Sequence, residues 1–255
     1  ILMVFVSYLI RKNMHESPAF AKTKAEGKIS TNPLKESFGN KYNLKFVLLA
    51  LFGATMGQGV VWYTGQFYAM NFLKTVQCID SSQVDMLLGI ALILGTPFFV
   101  FFGWLSDKVG RKYIMMGGML IAILLYRPIY KQMYKTTDLT LKTEVVANTK
   151  VVPSMKEVDA TKMDSIYTTT KTFTDGTAVE EIQTKHFEGG KLMVDDKGKD
   201  KIENKITKTI NNTDKWMLVF LVFIQVIFVT MVYGPIAAFL VEMFPVKIRY
   251  TSMSL

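Results

Sequence analysis

Residues that bind metals or form covalent cross-links are scarce in this chain of 255 residues. Its one cysteine, Cys78, excludes a disulfide or a multi-cysteine metal site within the chain. The two histidines, His15 and His186, have no neighbouring set of ligands, so we interpret both as ordinary polar residues. The sequence therefore predicts neither a bound metal nor another cofactor.

Sequence motifs of enzymes are missing as well. The chain has no Gly-x-x-x-x-Gly-Lys-Ser/Thr loop, which argues against an ATPase, and no recognisable arrangement of nucleophile and base. The acidic pairs at 180–181 and 195–196 lack the spacing of a calcium-binding loop, so we assign both to a solvated surface. We expect a protein that is not an enzyme.

Long apolar runs are what the chain has instead. Half of its residues are hydrophobic, and its mean hydropathy is +0.24. Four runs are long enough to cross about 30 Å of hydrocarbon, namely residues 46–73, 86–105, 113–130 and 216–244. Residues 1–10 look like the end of a further membrane helix. These runs predict an all-α integral membrane protein.

Positive charge predicts the orientation of these helices. The chain has a net charge of +9, and outside 131–215 its basic residues lie mostly in short loops beside apolar runs. Basic loops stay in the cytoplasm, which places the linker 11–45, the loop 106–112 and the segment 245–255 inside. Residues 74–85 and 131–215 then lie outside. We interpret the positive charge as a signal for topology and lipid contact, and we expect no nucleic-acid partner.

The segment 131–215 differs in character from the rest of the chain. Apolar and polar residues alternate through 165–173, Asp175-Gly176 follows, and 177–187 and 191–194 continue the extended pattern, which predicts a β-hairpin and a third strand. Residues 195–214 read as a loop or a frayed helix. Disorder of the whole segment is the alternative, because bulky apolar residues are sparse in it.

The charged turn at 103–112 has the sequence Gly-Trp-Leu-Ser-Asp-Lys-Val-Gly-Arg-Lys. Asp107 and Arg111 are ionised groups at the membrane edge and need partners, while Gly103 and Gly110 let helix ends approach closely. The turn resembles the G-x-L-[AS]-D-[RK]-x-G-R-[RK] loop of the major facilitator superfamily of transporters.

Three further segments resemble one branch of that superfamily, the metabolite:proton symporters. They are the linker at 16–36, the helix at 56–68 and the helix and loop at 233–251. Sugar porters share the charged turn and a Glu-Ser-Pro in the linker, but not the other two segments. The family's twelve-helix fold implies a fragment that runs from the end of helix six to the start of helix eleven. Such a fragment lacks the N-terminal half, which becomes its expected partner, and the insert 131–215 departs from the family pattern.

Two sets of residues are candidates for function. Gln58, Trp62 and Gln66 recur at four-residue steps on one helix face beside Tyr63, and Gln225 and Tyr233 share a face of the last helix. We expect these residues to line a substrate path, although hydrogen bonds to neighbouring helices would explain them equally. In the family, charges at the cytoplasmic ends act as a gate, which here implies the following set: Gly103, Asp107, Gly110, Arg111, Glu242 and Arg249.

The resemblance implies secondary active transport in a bacterial inner membrane by proton symport and alternating access. A small organic acid or a zwitterionic metabolite is the expected substrate. Two alternatives stay open: a sugar porter of the same superfamily, and a membrane-anchored protein that binds its ligand with the extracytoplasmic insert.

Overall fold

The computed structural model describes residues 32–159, 162–188, 191–194 and 200–244, together with the single positions 6, 8, 25 and 249. Apart from those single positions, the predicted helix end at 1–10, most of the linker 11–45 and the segment 245–255 lie outside the described residues.

Five helices form the larger part of the described chain: α1 (Pro33–Gly39), α2 (Lys41–Val76), α3 (Ser81–Val109), α4 (Arg111–Thr136) and α5 (Asn212–Met243). Helices α2 to α5 are each long and apolar enough to cross a membrane. Side chains cap four of the N-termini, because Asn32, Asn40, Asp80 and Asn211 accept hydrogen bonds from backbone N–H groups of the first turn. Short 3-10 turns follow α4 at Leu139–Leu141 and Val146–Asn148.

Helix α2 is not a regular α-helix. It widens into π-helical turns at Leu49–Thr55, Tyr63–Tyr68 and Phe72–Val76. Such turns leave backbone carbonyls without their usual helical partner, and they are frequent at functional sites. In a membrane these carbonyls must find other donors, so neighbouring helices have to supply them.

Helix α5 is the centre of the helical part. In its most apolar window 56% of the residues are buried, against 22–28% in the other three membrane-length helices. It packs between α3 and α4, where Leu218, Val222, Val226 and Val229 fill the core. Gly95 of α3 and Gly118 of α4 lie so close to α5 that a methyl group at either position would meet its side chains at 2.3 Å and 2.8 Å.

The segment between α4 and α5 forms one antiparallel sheet. Its strands are β1 (Lys150–Asp159), β2 (Lys162–Thr172), β3 (Ala178–Glu188), β4 (Lys191–Leu192) and β5 (Ile202–Thr209). The order is β1-β2-β3, and β5 and β4 follow one another along the free side of β3. The sheet is therefore four strands wide and one layer thick.

The structure confirms a β-rich insert, so disorder of the whole segment is wrong. The hairpin closes at Asp175-Gly176, where Gly176 has a φ of 86° and donates to the carbonyl of Phe173 at 3.0 Å. Strand β1 was not predicted, and the prediction of a loop or frayed helix for 195–214 is wrong over β5. Both strands are held by pairing with β2 and β3, which local sequence does not reveal.

The helix bounds also differ from the sequence interpretation. Helix α4 continues to Thr136 and α5 begins at Asn212, so the insert is shorter at both ends. Most of the predicted loop 106–112 is helical, because α3 runs to Val109 and α4 begins at Arg111. Gly110 alone joins the two helices, with a φ of 107° that favours glycine.

Among the described residues, the sheet is joined to the helices at one end. Lys208 of β5 donates its backbone N–H to the carbonyl of Cys78 at 2.7 Å and accepts from the N–H of Asp80 at 2.9 Å. The side chain of Gln83 then binds both backbone groups of Ile210, at 2.9 Å and 3.3 Å. These contacts fix the last residues of β5 to the turn between α2 and α3.

A cluster of polar side chains strengthens the same junction, and we call it the lysine cluster. The amino group of Lys142 lies 2.7 Å from the carboxylate of Asp175 and 2.8 Å from the hydroxyl of Thr177, and it also binds Asp214 of α5. Asn211 donates to Asp175 at 2.7 Å. The side chain of Lys142 is only 10% exposed, so its charge needs these partners.

Candidate functional site

A charge cluster occupies the end of the helical part where α3, α4 and α5 meet. Arg111 is the first residue of α4, and Gly110 turns the chain so that Arg111 reaches back to Asp107 of α3. One guanidinium nitrogen lies 2.9 Å from the carboxylate of Asp107, and another lies 2.6 Å from the carboxylate of Glu242 at the end of α5. The structure thus brings together three of the six predicted gate residues.

These ion pairs are too exposed to hold the fold. The side chain of Arg111 is 23% exposed, while those of Asp107 and Glu242 are 62% and 63% exposed. Exposed pairs of this kind contribute roughly 0.2–1 kcal/mol each. That amount would shift an equilibrium between two conformations severalfold but would leave unfolding almost unchanged. We call the cluster of Asp107, Arg111 and Glu242 the latch, because its ion pairs are strong enough to bias a conformational equilibrium but too weak to support the fold.

The remaining gate candidates have other neighbours. A methyl group on Gly103 would meet nothing within 4 Å, but one on Gly234 of α5 would lie 3.0 Å from the carbonyl oxygen of Phe99 and 3.4 Å from the nitrogen of Gly103. The close approach of α3 and α5 therefore depends on Gly234. Arg249 donates to the carbonyl of Phe244 at 3.1 Å, and we find no carboxylate partner for it within the described residues.

Part of the predicted substrate path forms an aromatic cluster between α2 and α5. The indole N–H of Trp62 donates to the side-chain oxygen of Gln66 at 2.8 Å. The ring centroid of Trp62 is 6.1 Å from that of Tyr233, which in turn lies 6.0 Å from Phe99. The ring of Tyr63 packs edge-to-face against Trp62, with the centroids 5.2 Å apart, and Tyr63 is 58% exposed. Trp62, Tyr63, Gln66 and Tyr233 therefore share one surface.

Two of the predicted path residues lie elsewhere. Gln225 is fully buried, and its amide nitrogen lies 3.4 Å from the carbonyl of Leu221 and 3.6 Å from the sulfur of Met133. Its side-chain oxygen has no hydrogen-bond partner among the described residues. Gln225 thus faces α4 rather than the aromatic cluster. Gln58 is half-buried on α2, one turn before Trp62.

Two tyrosines that the sequence interpretation missed bind the irregular part of α2. The hydroxyl of Tyr126 donates to the carbonyl of Val61 at 2.8 Å, and that of Tyr130 donates to the carbonyl of Thr64 at 2.7 Å. Both carbonyls lie beside or within the π-helical turn at Tyr63–Tyr68. The four-residue spacing of two tyrosines in an apolar run was the available sequence signal. Their hydrogen-bond partners are more than sixty residues away in the sequence and could not be predicted.

An apolar groove lies between α2, α4 and α5. It has a volume of about 340 Å³, and Met115, Met116, Met119 and Met243 line it, with Lys112 at its edge. Its lining offers a small polar substrate almost no hydrogen-bonding groups. Of the two surfaces, the aromatic cluster is therefore the better candidate for a substrate path.

Comparison with known proteins finds relatives that are named as transporters. The chain is 32% identical to "Putative transporter YdfJ" of Escherichia coli over 128 residues, which are 48% of this chain and 28% of that protein. It is 26% identical over 140 residues to the "Putative proline/betaine transporter" of Staphylococcus aureus strain COL, covering 52% of this chain and 29% of that protein. The protein of that name in Staphylococcus haemolyticus is 30% identical over 121 residues, 46% of this chain and 24% of that protein.

The matched part of this chain spans less than a third of the length of these relatives. No family model matches the chain, and no solved structure matches it. The relatives and the four membrane-length helices together support an integral membrane protein of the transporter class.

Proposed function

We propose that this chain is part of a secondary active transporter of the major facilitator superfamily, in its metabolite:proton symporter branch. The observation that carries the proposal is the position of Arg111, which ties the turn between α3 and α4 to the end of α5. In alternating access, such a bridge forms in one state and breaks in the other, so it sets how the two states are populated.

A zwitterionic osmolyte such as betaine or proline is our first choice of substrate, and a small organic acid is the second. Two of the relatives are named for proline and betaine. The aromatic cluster supports the same choice, because aromatic faces attract quaternary ammonium groups. Trp62, Tyr63 and Tyr233 offer three such rings beside the amide of Gln66.

The proton would be carried by another part of the whole protein. In the described part of α2 to α5 the carboxylates lie near helix ends, as Asp85, Asp107, Asp214 and Glu242 do, and the aromatic cluster contains none. We therefore assign proton coupling to the N-terminal half that the family fold implies. The chain by itself should not transport. The small-molecule substrate, protons, the lipid bilayer and that missing half are the proposed partners, and the bacterial inner membrane is the proposed location.

Uptake by the full-length protein in intact cells tests the proposal. Cells that express it would receive betaine, proline, a panel of organic acids and a panel of sugars, while the external pH is recorded. Uptake of an osmolyte or organic acid with alkalinisation of the medium is the expected result. Uptake of a sugar would move the protein to the sugar porters, and an inserted protein that takes up nothing would favour a binding role for the insert.

Substitution of Trp62 tests the aromatic cluster within the same assay. Trp62→Ala should raise the KM for betaine at least severalfold, because it removes one of the aromatic faces. Trp216→Ala is the matched control, since Trp216 is 52% exposed at the other end of α5 and lies outside the cluster. An equal effect of both substitutions would rule out a path through the cluster.

A further inference from the structure

The two faces of the sheet differ in polarity. Side chains alternate along a strand, and residues paired across strands lie on the same face. The register Val151–Thr169, Thr169–Glu181 and Glu181–Ile206 therefore fixes which residues share a face. We call this side the apolar face, and its large apolar side chains, each between 36% and 76% exposed, are Val151, Met155, Met163, Tyr167, Ile202 and Ile206.

The opposite side is mostly polar, with Lys150, Asp164, Thr168, Glu180 and His186 among its residues. A sheet with one apolar face normally packs that face against a second layer. Val179 of this face is buried near the junction, but the exposure of the six residues named above shows that the described part of the chain supplies no such layer over the rest of the face. Burial of this much apolar surface would stabilise any complex that covers it.

The polar groups of the apolar face already have neighbours within the sheet. Lys171 binds the carboxylate of Glu181 at 3.0 Å, and Gln183 donates to Asn204 at 3.3 Å. The amino group of Lys185 lies over the ring of Tyr167, 5.3 Å from its centroid. Covering the face would therefore leave few unpaired charges, which is the usual cost of burying a polar surface.

We propose that the apolar face binds the same face of a second copy of this chain. Two copies that lie in one membrane with the same orientation must be related by a two-fold axis along the membrane normal. Within the part of the chain that the structure describes, the sheet contacts the helices at the ends of β2, β3 and β5 near Thr172, Ala178 and Thr209, and we infer from this that its strands run away from the helices. The axis then runs along the strands.

Rotation about such an axis keeps the height of a residue and exchanges β1 with β5 and β2 with β3. Val151 comes opposite Ile206 of the second copy, and Met155 comes opposite its Ile202. Near the far end of the sheet, Met163 meets Phe187 of the second copy. The charges avoid each other under the same rotation, because Glu181 faces a threonine and Lys185 a serine of the second copy.

The size of the face suits a stable dimer. Four strands at about 4.8 Å and eleven residues at about 3.4 Å give roughly 700 Å² for each copy. Specific interfaces bury about 800 Å² on each partner, so the two sheets would approach the standard size without help from the helices. The pairing would make a two-layered β-sandwich outside the membrane.

Two neighbouring valines provide the test. Val151 and Val152 both lie on β1 and are both 58% exposed, but only Val151 belongs to the apolar face. The mass of the purified full-length protein in detergent would be measured by light scattering over a range of concentrations. The wild type and Val152→Glu should be dimers, while Val151→Glu should dissociate at a concentration at least tenfold higher. A monomeric wild type, or equal effects of the two substitutions, would overturn the proposal.

Cross-linking in membranes provides a second test that does not depend on the stability of a glutamate variant. In a Cys78→Ser background, one tagged copy would carry Val151→Cys and a differently tagged copy Ile206→Cys. The facing sheets of a sandwich lie about 10 Å apart, which is beyond the usual reach of a direct disulfide, so a thiol-specific cross-linker of about that length would join the two cysteines. A cross-linked product that carries both tags is expected, and Val152→Cys with Ile206→Cys should give much less. No cross-linked product from the first pair, or equal amounts from both, would refute the interface.

Discussion

Arg111 contacts carboxylates from two different helices, so the loss of either carboxylate should weaken the proposed latch. We predict that Asp107→Asn in the full-length protein lowers uptake at least severalfold while the amount of protein in the membrane stays unchanged. The reason is that an exposed ion pair contributes about 1 kcal/mol or less, which changes the balance of conformations but not folding. Initial uptake rates, normalised to protein by immunoblot, would measure this.

The pair Lys74–Asp85 supplies the control for that prediction. Its side chains lie 2.6 Å apart, and Asp85 is 60% exposed, much as Asp107 is, but the pair joins α2 and α3 at the other end of the helices. Asp85→Asn should leave uptake near the wild-type rate. Since Arg111 also binds Glu242, Asp107→Asn and Glu242→Gln should not be additive. Uptake kinetics unchanged by Asp107→Asn would contradict the latch.

Asp175 gives the junction of sheet and helices a dependence on pH. Burial raises the pKa of its carboxyl group, but hydrogen bonds from Lys142 and Thr177 outweigh burial and lower the pKa from 3.8 to about 2. A carboxyl group whose pKa is lowered on folding stabilises the folded state above its unfolded pKa. That stability is lost as the pH falls from about 4 through about 2.

We therefore predict that the junction of the sheet with the helices weakens in the wild type between about pH 4 and pH 2, and that Asp175→Asn weakens it already at neutral pH. Limited proteolysis of the insert in the purified protein, followed across this range, would show both effects. Asp200→Asn is the control, because Asp200 is exposed and lies away from the lysine cluster. Identical proteolysis of the Asp175→Asn variant and the wild type at pH 7 would disprove the role of this carboxylate.

At the scale of secondary-structure elements, glycines on the neighbouring helices let α5 pack closely against them. A methyl group on Gly118 would lie 2.8 Å from the Cβ of Met231, which cannot move aside without α5, and 3.0 Å from a side-chain methyl group of Val232. Gly117, the preceding residue, has nothing within 4 Å of the same position. The two glycines differ only in the direction that they face.

We predict that Gly118→Val lowers the thermal stability of the detergent-solubilised protein, by about 1–3 kcal/mol in free energy of unfolding, as overpacking does. Gly117→Val should cost much less. Thermal unfolding of both variants by intrinsic fluorescence would measure the difference. Equal melting temperatures would show that α4 and α5 do not approach as closely as this structure has them.

The sequence predicted the elements that a short stretch of residues determines and missed those that depend on contacts between distant residues. The four membrane-length helices and the Asp175-Gly176 hairpin depend on hydropathy and turn residues, which can be read from a short stretch. Strands β1 and β5 could not be found in this way, because β1 contains Pro153 and β5 is largely polar, and both depend on pairing. The π-helical turns of α2 leave its hydropathy pattern unchanged and were also missed.

The contacts of the candidate site likewise fall into those between residues close in sequence and those that depend on helix packing. Asp107 and Arg111 are four residues apart across one glycine, and the sequence predicted both as members of one gate set. The approach of Trp62 to Tyr233 and the turn of Gln225 toward Met133 depend on how α2 and α4 pack against α5, which no local pattern contains. Function could be predicted only as a class, because the substrate depends on that packing and on parts of the protein beyond this chain.

At the scale of the whole molecule, two functions can be distinguished: transport through the helices and ligand binding by the insert. We predict that a full-length protein in which residues 143–206 are replaced by a flexible linker of about ten residues still takes up substrate. This replacement keeps Lys208 and Ile210, which bind the turn between α2 and α3. Uptake at a rate of the same order as the wild type would support a transporter, and complete loss from a correctly inserted protein would favour a membrane-anchored binding protein.

Strand β5 and helix α5 are separated by only two residues, and Gln83 fixes the first of them, Ile210. The sheet is thus directly connected to the most buried of the described helices, and the far end of that helix carries Glu242. In the topology predicted from the sequence, an antibody fragment bound to the sheet would restrain α5 from the extracytoplasmic side. For the proposed transporter, it would favour one conformation without competing with the substrate.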